Sequence, residues 1–444
     1  MVETGSVTAI LGEQRGDEGK GRFSDMLAAE HDIVARFNGG SNAGHTIVLE
    51  DGREHKLHLL PSGITNPHTM NVIGNGVVVD AVHLVGEIET AAKKGIELDE
   101  GRLMISSAAH LLLPEHKSRD EIREAGKDAQ GSTKSGISPA YSDKAFRSGV
   151  RVEIINNDID GLHRKIVEGV EKTNEDRERV NKDKERQGKE LVLLDPLQEA
   201  DTYVAAALQL GRFSTDTTLY LNRRLKAGDR VLAEGAQAFL LDLDHGMYDA
   251  VTSSSTTVGG ILTGLGIPAK YLERIVGVAK AVPSHVGGGP FATEIHDDEL
   301  LERLHGDPDA SDAERGTKTG RWRRLGFFDL AALRRAQMVN GSTELALTKL
   351  DWVLRYGDTI PICTGYERKG KQLEVSPDAA YKLRQSSPIL TELPNWTEDV
   401  SGVRKFRDLP KEAQGYINFL EEQTEVPITM IGVGQRRDQV IVRK

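Results

Sequence analysis

Residues 7–30 read VTAILGEQRGDEGKGRFSDMLAAE and decide the first unit of the predicted fold. The run VTAIL (7–11) is short and apolar, which predicts a buried strand. Residues 12–21 are rich in glycine and predict a loop, and residues 23–30 have apolar positions at helical spacing. A strand, a glycine loop and a helix in this order are typical of the start of an α/β nucleotide-binding unit.

The rest of the chain repeats this alternation. A second apolar run, residues 33–37, leads into another loop of small residues, NGGSNAG (38–44). Further strands are predicted at 70–73, 103–105, 231–233, 275–278, 345–348 and 429–432, with helices at 82–93 and 328–338. We therefore predict an α/β fold with a large central, mostly parallel sheet flanked by helices, similar to the P-loop NTPases.

The chain is predicted to form a single domain, residues 1–444. Within it, the pattern turns helical over about 159–226, which predicts a helical insertion, and a small C-terminal subdomain is expected over about 352–444. Residues 171–190 are almost all charged or polar and predict a solvated helix or a mobile excursion, rather than a specific charged interface.

Composition narrows the class of protein. The formal net charge is −11, which argues against a protein that coats nucleic acid, although a few local cations can still hold anionic small molecules. No apolar run approaches the roughly 20 residues that span a bilayer, and the first residues do not resemble a secretory signal. We expect a cytoplasmic protein with no membrane or nucleic-acid partner. The single cysteine, Cys363, excludes an intramolecular disulfide and a cysteine metal cage.

The residues of the first glycine loop predict phosphate binding, although the loop is not a Walker motif. Its glycines let backbone N–H groups approach an anion, and Lys20 supplies a positive charge at the start of a helix. The spacing from Gly12 to Gly19 is too long for G-x-x-x-x-G-K-[ST], and Gly21 stands where Ser or Thr would bind Mg²⁺. Asp17 is the obvious oxygen ligand to replace it.

Ten short blocks occur in the same order as in the adenylosuccinate synthetase family, which this chain resembles over most of its length. They are GDEGKG (16–21), NAGHT (42–46), PSG (61–63), IGNGV (73–77), PAY (139–141), EGAQ (234–237), DHG (244–246), VTSS (251–254), GPF (289–291) and TGR (319–321). In addition, TKLD (348–351) follows a predicted strand and matches the guanine-reading pattern [NT]-K-x-D. Its aspartate can accept hydrogen bonds from guanine, so GTP is expected rather than ATP.

The resemblance implies a ligase that uses GTP to join L-aspartate to IMP, giving adenylosuccinate, GDP and phosphate in purine nucleotide biosynthesis. A base removes the proton from N1 of the purine, the 6-oxygen attacks the γ-phosphate, and the aspartate amine then displaces phosphate at C6. By the same resemblance, Asp17 is the base and His45 the acid. Lys20 is the cation at the phosphates, and Gln237 polarises the 6-oxo group. Mg²⁺ is the implied cofactor, with Asp17 and the backbone carbonyl of Gly44 as its protein ligands.

The resemblance also assigns residues to each substrate. For GTP these are Gly16, Asp17, Glu18, Gly19, Lys20, Gly21, Arg22, Gly44, His45, Thr46, Arg323, Lys349, Leu350, Asp351, Gly432, Val433 and Gly434. For IMP they are Asp17, Lys20, Asn42, His45, Thr133, Arg147, Gln237, Thr252 and Arg321. For aspartate, whose carboxylates suit planar guanidinium groups, they are Thr317, Lys318, Thr319, Gly320, Arg321 and Arg323.

Arg147 implies an assembly. In the family this arginine reaches into the neighbouring subunit's site, so the resemblance implies a symmetric homodimer with shared sites. A solvated basic face, with Lys144 and Arg151, is the simpler interpretation of the same residues.

Several positions depart from the family pattern near the monophosphate and aspartate pockets. Arg15 stands where tryptophan is common, STKS (132–135) replaces a Thr-Thr-Gly-Arg run, Ser255 replaces asparagine, Lys318 replaces threonine, and Gln435-Arg436 replaces Pro-Asp. Two alternatives therefore stay open. One is a phage-type enzyme that acts on dGMP, although Asp17 favours IMP. The other is a GTP-binding protein without catalysis, which would not need Gln237, Arg147 or the arginine-rich loop.

Overall fold

Strands and helices alternate along most of the chain in the computed structural model, which describes residues 4–126, 132–183, 190–307, 313–315 and 322–443. The strands are β1 Ser6–Gly12, β2 Ile33–Arg36, β3 His45–Val48, β4 Glu54–Leu57, β5 Met70–Ile73, β6 Val78–Val79, β7 Leu103–Ser106, β8 His110–Leu111, β9 Ser214–Thr215, β10 Arg230–Glu234, β11 Leu272–Lys280, β12 Ser284–His285, β13 Arg324–Leu325, β14 Phe328–Asp329, β15 Glu344–Thr348, β16 Thr359–Arg368, β17 Lys371–Leu373, β18 Ser387–Pro394, β19 Ile428–Gly432 and β20 Val440–Val442.

The α-helices separate these strands. They are α1 Lys20–Ala28, α2 Ala81–Lys93, α3 Pro114–Ala125, α4 Ile137–Phe146, α5 Ile154–Asn157, α6 Ile159–Asn181, α7 Pro196–Leu210, α8 Thr217–Lys226, α9 Val258–Leu265, α10 Asp298–His305, α11 Leu330–Asn340, α12 Leu350–Val353, α13 Ala380–Leu383 and α14 Lys411–Thr424.

Ten strands of the described part of the chain form the central sheet, in the order β20-β19-β15-β11-β1-β10-β2-β5-β7-β9. The neighbours pair in parallel, except that β20 runs antiparallel to β19. Every strand predicted from an apolar run is a member of this sheet. The predicted α/β fold with a mostly parallel sheet is therefore confirmed.

Both faces of the sheet are covered, which explains why its strands are continuous apolar runs. Successive side chains of a strand point to opposite faces. In β1, Ile10 packs in one apolar cluster with Phe23 of α1, whereas Leu11 packs in another with Ile261 of α9. The cores on the two faces fix the register of β1, and with it the start of the first glycine loop.

Aspartates at helix starts set several helix boundaries. The side chain of Asp80 accepts a hydrogen bond from the backbone N–H of His83, and Asp329 accepts one from Ala332 in the same way. The helix predicted over 328–338 therefore begins two residues later, because Phe328 and Asp329 form β14 and Asp329 is also the N-cap.

Helices α6, α7 and α8 occupy the segment predicted to be helical, and α6 includes the first part of the charged stretch. That part is not only a solvated surface. Arg177 is buried, and its guanidinium donates to the Ser118 hydroxyl at 2.9 Å and to the Glu121 carboxylate at 2.5 Å, both on α3. Residues 184–189 of the stretch lie outside the described residues.

The C-terminal region contributes to two sheets. Strands β14, β16, β17 and β18 form a small separate sheet, while β19 and β20 return to the edge of the central sheet. The final strands of the predicted C-terminal subdomain thus belong to the main sheet, and the subdomain boundaries stay a prediction. Among the described residues, none of the helices combines the length and the apolar character needed to cross a membrane.

Candidate active site

A cleft of about 770 Å³ opens at the carboxyl ends of the central strands β1, β10, β11 and β15. This is where ligands bind in open parallel sheets, because the loops that follow these strands converge there. Among the predicted site residues, those that line the cleft are Gly16, Asp17, Glu18, Gly19, Lys20, Gly21, Arg22, Asn42, Gly44, His45, Thr46, Thr133, Gln237, Thr252, Arg323, Lys349, Asp351 and Gly434.

Other predicted residues lie elsewhere. Leu350 and Val433 are fully buried, and Gly432 packs against the guanidinium of Arg22. Arg147 is exposed at the end of α4, in the left-handed conformation with φ 69°. The predicted aspartate-loop residues Thr317, Lys318, Thr319, Gly320 and Arg321 lie outside the described residues.

The first glycine loop folds around a buried carboxylate. One oxygen of Glu18 accepts the backbone N–H of Gly16 at 2.7 Å, and the other pairs with the Lys20 ammonium at 2.6 Å. A Cβ at Gly12 would lie within 2.8 Å of both the Glu18 carboxylate and the Lys20 ammonium, so only glycine fits there. The loop thereby holds Lys20 at the N-terminus of α1, where the helix dipole adds to its attraction for phosphate.

Gly21 explains why this loop lacks the Walker Ser or Thr. A Cβ at Gly21 would lie 2.9 Å from the Cβ of His45 and 3.0 Å from its ring, closer than real side chains approach. His45 on β3 therefore packs directly on the backbone of α1, and the second glycine loop is seated on the first.

His45 is neutral in this environment. Burial lowers the pKa of its imidazole well below the ordinary value, and the nearby positive charge of Arg36 lowers it further. Its Nε2 lies 3.4 Å from the carboxylate of Glu234, whose own pKa is raised by burial and lowered in part by Arg36. A neutral imidazole can donate an N–H hydrogen bond without carrying charge.

Asn38, which the sequence analysis missed, orients Gln237. Its side-chain oxygen accepts the backbone N–H of Ala236 at 2.9 Å, and its amide nitrogen lies 3.4 Å from the Gln237 side-chain oxygen. The Gln237 amide nitrogen then donates to Asn42 at 3.1 Å. Three amide side chains from the loops after β2 and β10 thus form one chain of hydrogen bonds, which the position of Asn38 directly after a buried strand could have suggested.

Asp17 is not alone in the cleft. Its side chain is 39% exposed and pairs with Nη2 of Arg323 at 2.7 Å, and its backbone has φ 57°. The other terminal nitrogen of Arg323 lies 3.1 Å from the carboxylate of Glu314, a buried residue that sequence reasoning also missed. Two further cations, Lys280 and Lys349, contact the same Glu314 carboxylate.

The TKLD segment is tied to the first glycine loop. The hydroxyl of Thr348, at the end of β15, donates to the backbone carbonyl of Glu18 at 2.7 Å. Lys349 follows with φ 60°, and its ammonium lies 3.3 Å from the centre of the Trp352 ring. Asp351 faces the cleft one residue after the buried Leu350.

Arg22, predicted to bind GTP, already has backbone partners. Its guanidinium donates to the carbonyls of Gly434 at 2.6 Å, Arg436 at 2.9 Å and Gln439 at 2.5 Å. Burial lowers the pKa of Arg22 to about 10, so it stays charged at neutral pH. In this structure Arg22 therefore holds the segment after β19 against α1.

Two of the positions that depart from the family pattern, Arg15 and Ser135, are buried. Arg15 is 7% exposed and its guanidinium lies 4.4 Å from the centre of the Phe291 ring. The hydroxyl of Thr133 donates to Ser135 at 2.9 Å, and Ser132 donates to Asp120 at 3.0 Å, which fixes this short segment beside the cleft.

His58, His83 and Glu87 could together hold a metal ion, and within the described residues they are the one such group of histidines, cysteines and carboxylates. Both Glu87 oxygens, however, already accept backbone N–H groups of Leu59 and Leu60, at 3.0–3.1 Å. We interpret this carboxylate as the support for the segment that carries His58.

A family model described as adenylosuccinate synthetase matches residues 9–441. The chain belongs to the adenylosuccinate synthetase family. The adenylosuccinate synthetase of Frankia alni is 43% identical over 438 residues, which cover 98% of this chain and 98% of that protein. Membership of the family confirms the resemblance found from the ordered blocks.

Solved structures agree with this assignment. Fully ligated adenylosuccinate synthetase from Plasmodium falciparum has a TM-score of 0.86 and 36% identity, with 99% of this chain and 100% of that chain covered. Cyanophage S-2L succinoaminodeoxyadenylate synthetase, bound to dGMP and to dATP as an energy donor, has a TM-score of 0.62 and 19% identity, with 99% and 96% covered. At that identity the phage enzyme shares the fold alone.

Proposed function

We propose that this protein joins L-aspartate to IMP at the expense of GTP, giving adenylosuccinate, GDP and phosphate. The observation that carries the proposal is that one cleft contains the phosphate-binding loop, the proposed base and acid, and the guanine-reading segment. Relatives at 43% identity that are named adenylosuccinate synthetase support IMP as the acceptor. We also propose that the reaction takes place in the cytoplasm.

The first step is phosphoryl transfer to the 6-oxygen of the purine. The Asp17 carboxylate takes the proton from N1, the 6-oxygen attacks the γ-phosphorus of GTP, and the bond to the β-phosphate oxygen breaks to release GDP. In this structure one carboxylate oxygen of Asp17 is paired with Nη2 of Arg323, and this oxygen must be released before it can take the proton. We infer that Arg323 leaves Asp17 to bind a carboxylate of aspartate, which frees the base.

Lys20 and His45 serve the transferred phosphoryl group. Lys20 lies at the N-terminus of α1, where the ammonium and the helix N–H groups attract the β- and γ-phosphates. His45 is neutral before substrates bind, and its N–H can donate to the phosphoryl oxygen at once. The negative charge of bound GTP would also favour protonation of the imidazole.

The second step is displacement at C6. The aspartate amine attacks C6, the C–O bond to the phosphate breaks, and phosphate leaves. Gln237, whose side chain contacts Asn38, would hydrogen-bond the 6-oxygen. The carboxylates of aspartate would be bound by Thr317, Lys318, Thr319, Gly320 and Arg321 together with Arg323. The monophosphate would contact Asn42, Thr133 and Thr252.

The residues present also fit Mg²⁺. Asp17 and Gly44 line the same cleft, and their carboxylate and carbonyl oxygens are hard ligands of the kind that Mg²⁺ prefers. When bound, the ion would neutralise charge on the GTP phosphates. Lys349 and Asp351 would contact the guanine, with the buried Leu350 fixing the turn between them.

We further propose a homodimer in which Arg147 completes the neighbouring site. Arg147 is exposed and ends α4 in a left-handed conformation, so its side chain is accessible to a second subunit. Mixing Arg147→Leu subunits with Asp17→Asn subunits should restore part of the activity, because some mixed sites contain both intact residues. An absence of any recovery would exclude shared sites.

Incubation of the purified protein with Mg²⁺, GTP and L-aspartate tests the reaction, with either IMP or dGMP as the acceptor. Adenylosuccinate and equal amounts of GDP and phosphate, detected by mass spectrometry and phosphate release, are expected with IMP. Product with dGMP alone would assign the protein to the phage-type reaction instead. If no phosphate is released with IMP or with dGMP, the ligase proposal is refuted and a GTP-binding protein without catalysis remains.

A further inference from the structure

One buried carboxylate collects three cations beside the cleft. The Glu314 side chain is 2% exposed, and its oxygens lie 2.8 Å from the ammonium of Lys280, 3.1 Å from that of Lys349 and 3.1 Å from Nη1 of Arg323. Burying a charge is costly unless it is paired, and here the pairing is dense. Positive charge on three sides keeps the pKa of Glu314 far below its ordinary value, so the carboxylate is ionised.

The three cations come from separate parts of the chain. Lys280 ends β11, Lys349 is the second residue of the guanine-reading segment TKLD, and Arg323 lies directly before β13. Arg323 also reaches Asp17 with its other terminal nitrogen, at 2.7 Å. Glu314 therefore lies between the residue proposed to contact guanine and the one proposed to contact aspartate.

The cations would not hold this arrangement alone. Three positive groups lie about 3 Å from one carboxylate and repel one another once it is neutral. All three cations line the cleft, but the Lys280 side chain is only 3% exposed and cannot move into water easily, whereas those of Lys349 and Arg323 are 19% and 13% exposed. Loss of the charge would thus displace the two residues that face substrates.

We propose that Glu314 is a positioning residue that fixes Lys349 and Arg323 relative to each other, and so couples the GTP end of the cleft to the aspartate end. This inference rests on the proposed function. It differs from a purely structural role for Glu314, in which the carboxylate would only neutralise Lys280 and the substrates would bind as before.

Glu314→Gln tests the coupling by steady-state kinetics. The KM values for GTP and for aspartate should each rise about tenfold or more, as expected for the loss of a charged hydrogen bond, while the KM for IMP stays within about twofold. Glu344→Gln is the matched control: Glu344 is also buried and pairs with Arg274, but at the opposite end of β15. All three KM values should be unchanged in that variant.

A second variant covers the chance that Glu314→Gln does not fold. Removing one partner of a buried ion pair leaves the other charge uncompensated, whereas replacing both partners by neutral groups of similar size is often tolerated. Lys280→Met combined with Glu314→Gln removes the buried pair together, and still leaves Lys349 and Arg323 without their shared carboxylate. The same rise in both KM values is expected.

Unchanged KM values for GTP and aspartate in either folded variant would overturn the inference. An equal rise for all three substrates, including IMP, would overturn it too, because that indicates general collapse of the cleft. Titration of GDP by calorimetry, without IMP or aspartate, tests the role of Glu314 separately from the proposed function. A wild-type protein without turnover refutes the function, whereas turnover with unchanged GDP affinity in the variants refutes only the role of Glu314.

Discussion

Gly21→Ala should inactivate the enzyme while leaving the fold intact. The new Cβ would lie 2.9 Å from the Cβ of His45 and 3.0 Å from the His45 ring, where ordinary contacts begin near 3.4 Å. The imidazole must therefore move by about half an ångström or more. Misplacement of a catalytic group by about 1 Å can cost about 100-fold in rate, so we expect kcat to fall by about ten- to 100-fold.

Stability should change far less than activity. Overpacking costs about 1–3 kcal/mol, but alanine is favoured over glycine within a helix by about 1 kcal/mol, which offsets part of it. Gly21 is the second residue of α1, so both effects apply. We expect the free energy of unfolding, measured in urea, to fall by no more than about 2 kcal/mol.

Gly415→Ala provides the control, since Gly415 lies within α14 and a Cβ there meets no atom within 4 Å. It should keep wild-type kcat and be stabilised by about 0.5–1 kcal/mol. Wild-type kcat in Gly21→Ala would refute the reasoning, because His45 would then either tolerate the displacement or play no part in the reaction.

Three further predictions concern single side chains. Asp17→Asn should lower kcat by about 1000-fold or more, because it removes the base. It should leave the melting temperature within a few degrees of wild type, because the ion pair with Arg323 is partly exposed. Turnover within tenfold of wild type would exclude Asp17 as the base. Asn38→Ala should lower kcat by about tenfold with an unchanged KM for GTP. It should also reduce the free energy of unfolding by about 1–3 kcal/mol, because buried partners lose their hydrogen bonds. An unaltered kcat would show that Asn38 does not orient Gln237 for the reaction. Burial raises the pKa of Glu13 from 4.5 to about 7, so Glu13 is protonated in the folded chain and ionised in the unfolded chain over this pH range. Its contribution to the free energy of unfolding should therefore fall by about 3 kcal/mol as pH rises from about 4.5 to 7. Glu13→Gln should remove that loss, and equal pH slopes of unfolding free energy in both proteins would contradict it.

The sequence predicted most of the fold because the strands are short, contiguous and apolar. Each predicted run became a member of the central sheet, since burial on both faces selects such runs whatever their order in the chain. Strand order itself was not predictable, because β1 and β10 pair across more than 200 residues of chain. The small strands β12, β13 and β14 were also missed, as two-residue pairings carry no periodic pattern.

The parts of the cleft that are formed by motifs of consecutive residues could be predicted from the sequence. GDEGKG, NAGHT, EGAQ and TKLD each contain a loop together with the side chain proposed to act, and all four line the cleft. Supporting residues were missed because their partners are distant in sequence: Asn38 and Gln237 are 199 residues apart, and Lys280 and Glu314 are 34 apart. Arg22 illustrates the converse: directly after the first glycine loop it was predicted to bind GTP, yet its guanidinium contacts carbonyls about 412–417 residues away.

Backbone conformation links the predicted and the missed residues. Asp17, Gln237 and Lys349 all have φ near +60°, a conformation that costs a non-glycine residue about 1–2 kcal/mol. Such strain persists only where neighbours over-determine the geometry. Those neighbours are residues that the sequence analysis missed. Asn38 bonds to the backbone N–H of Ala236 and to the Gln237 side chain, and Glu314 contacts Lys349 directly and Asp17 through Arg323. The proposed catalytic groups and their supports therefore form one structure, in which loss of a support should relax the backbone of the residue that it holds.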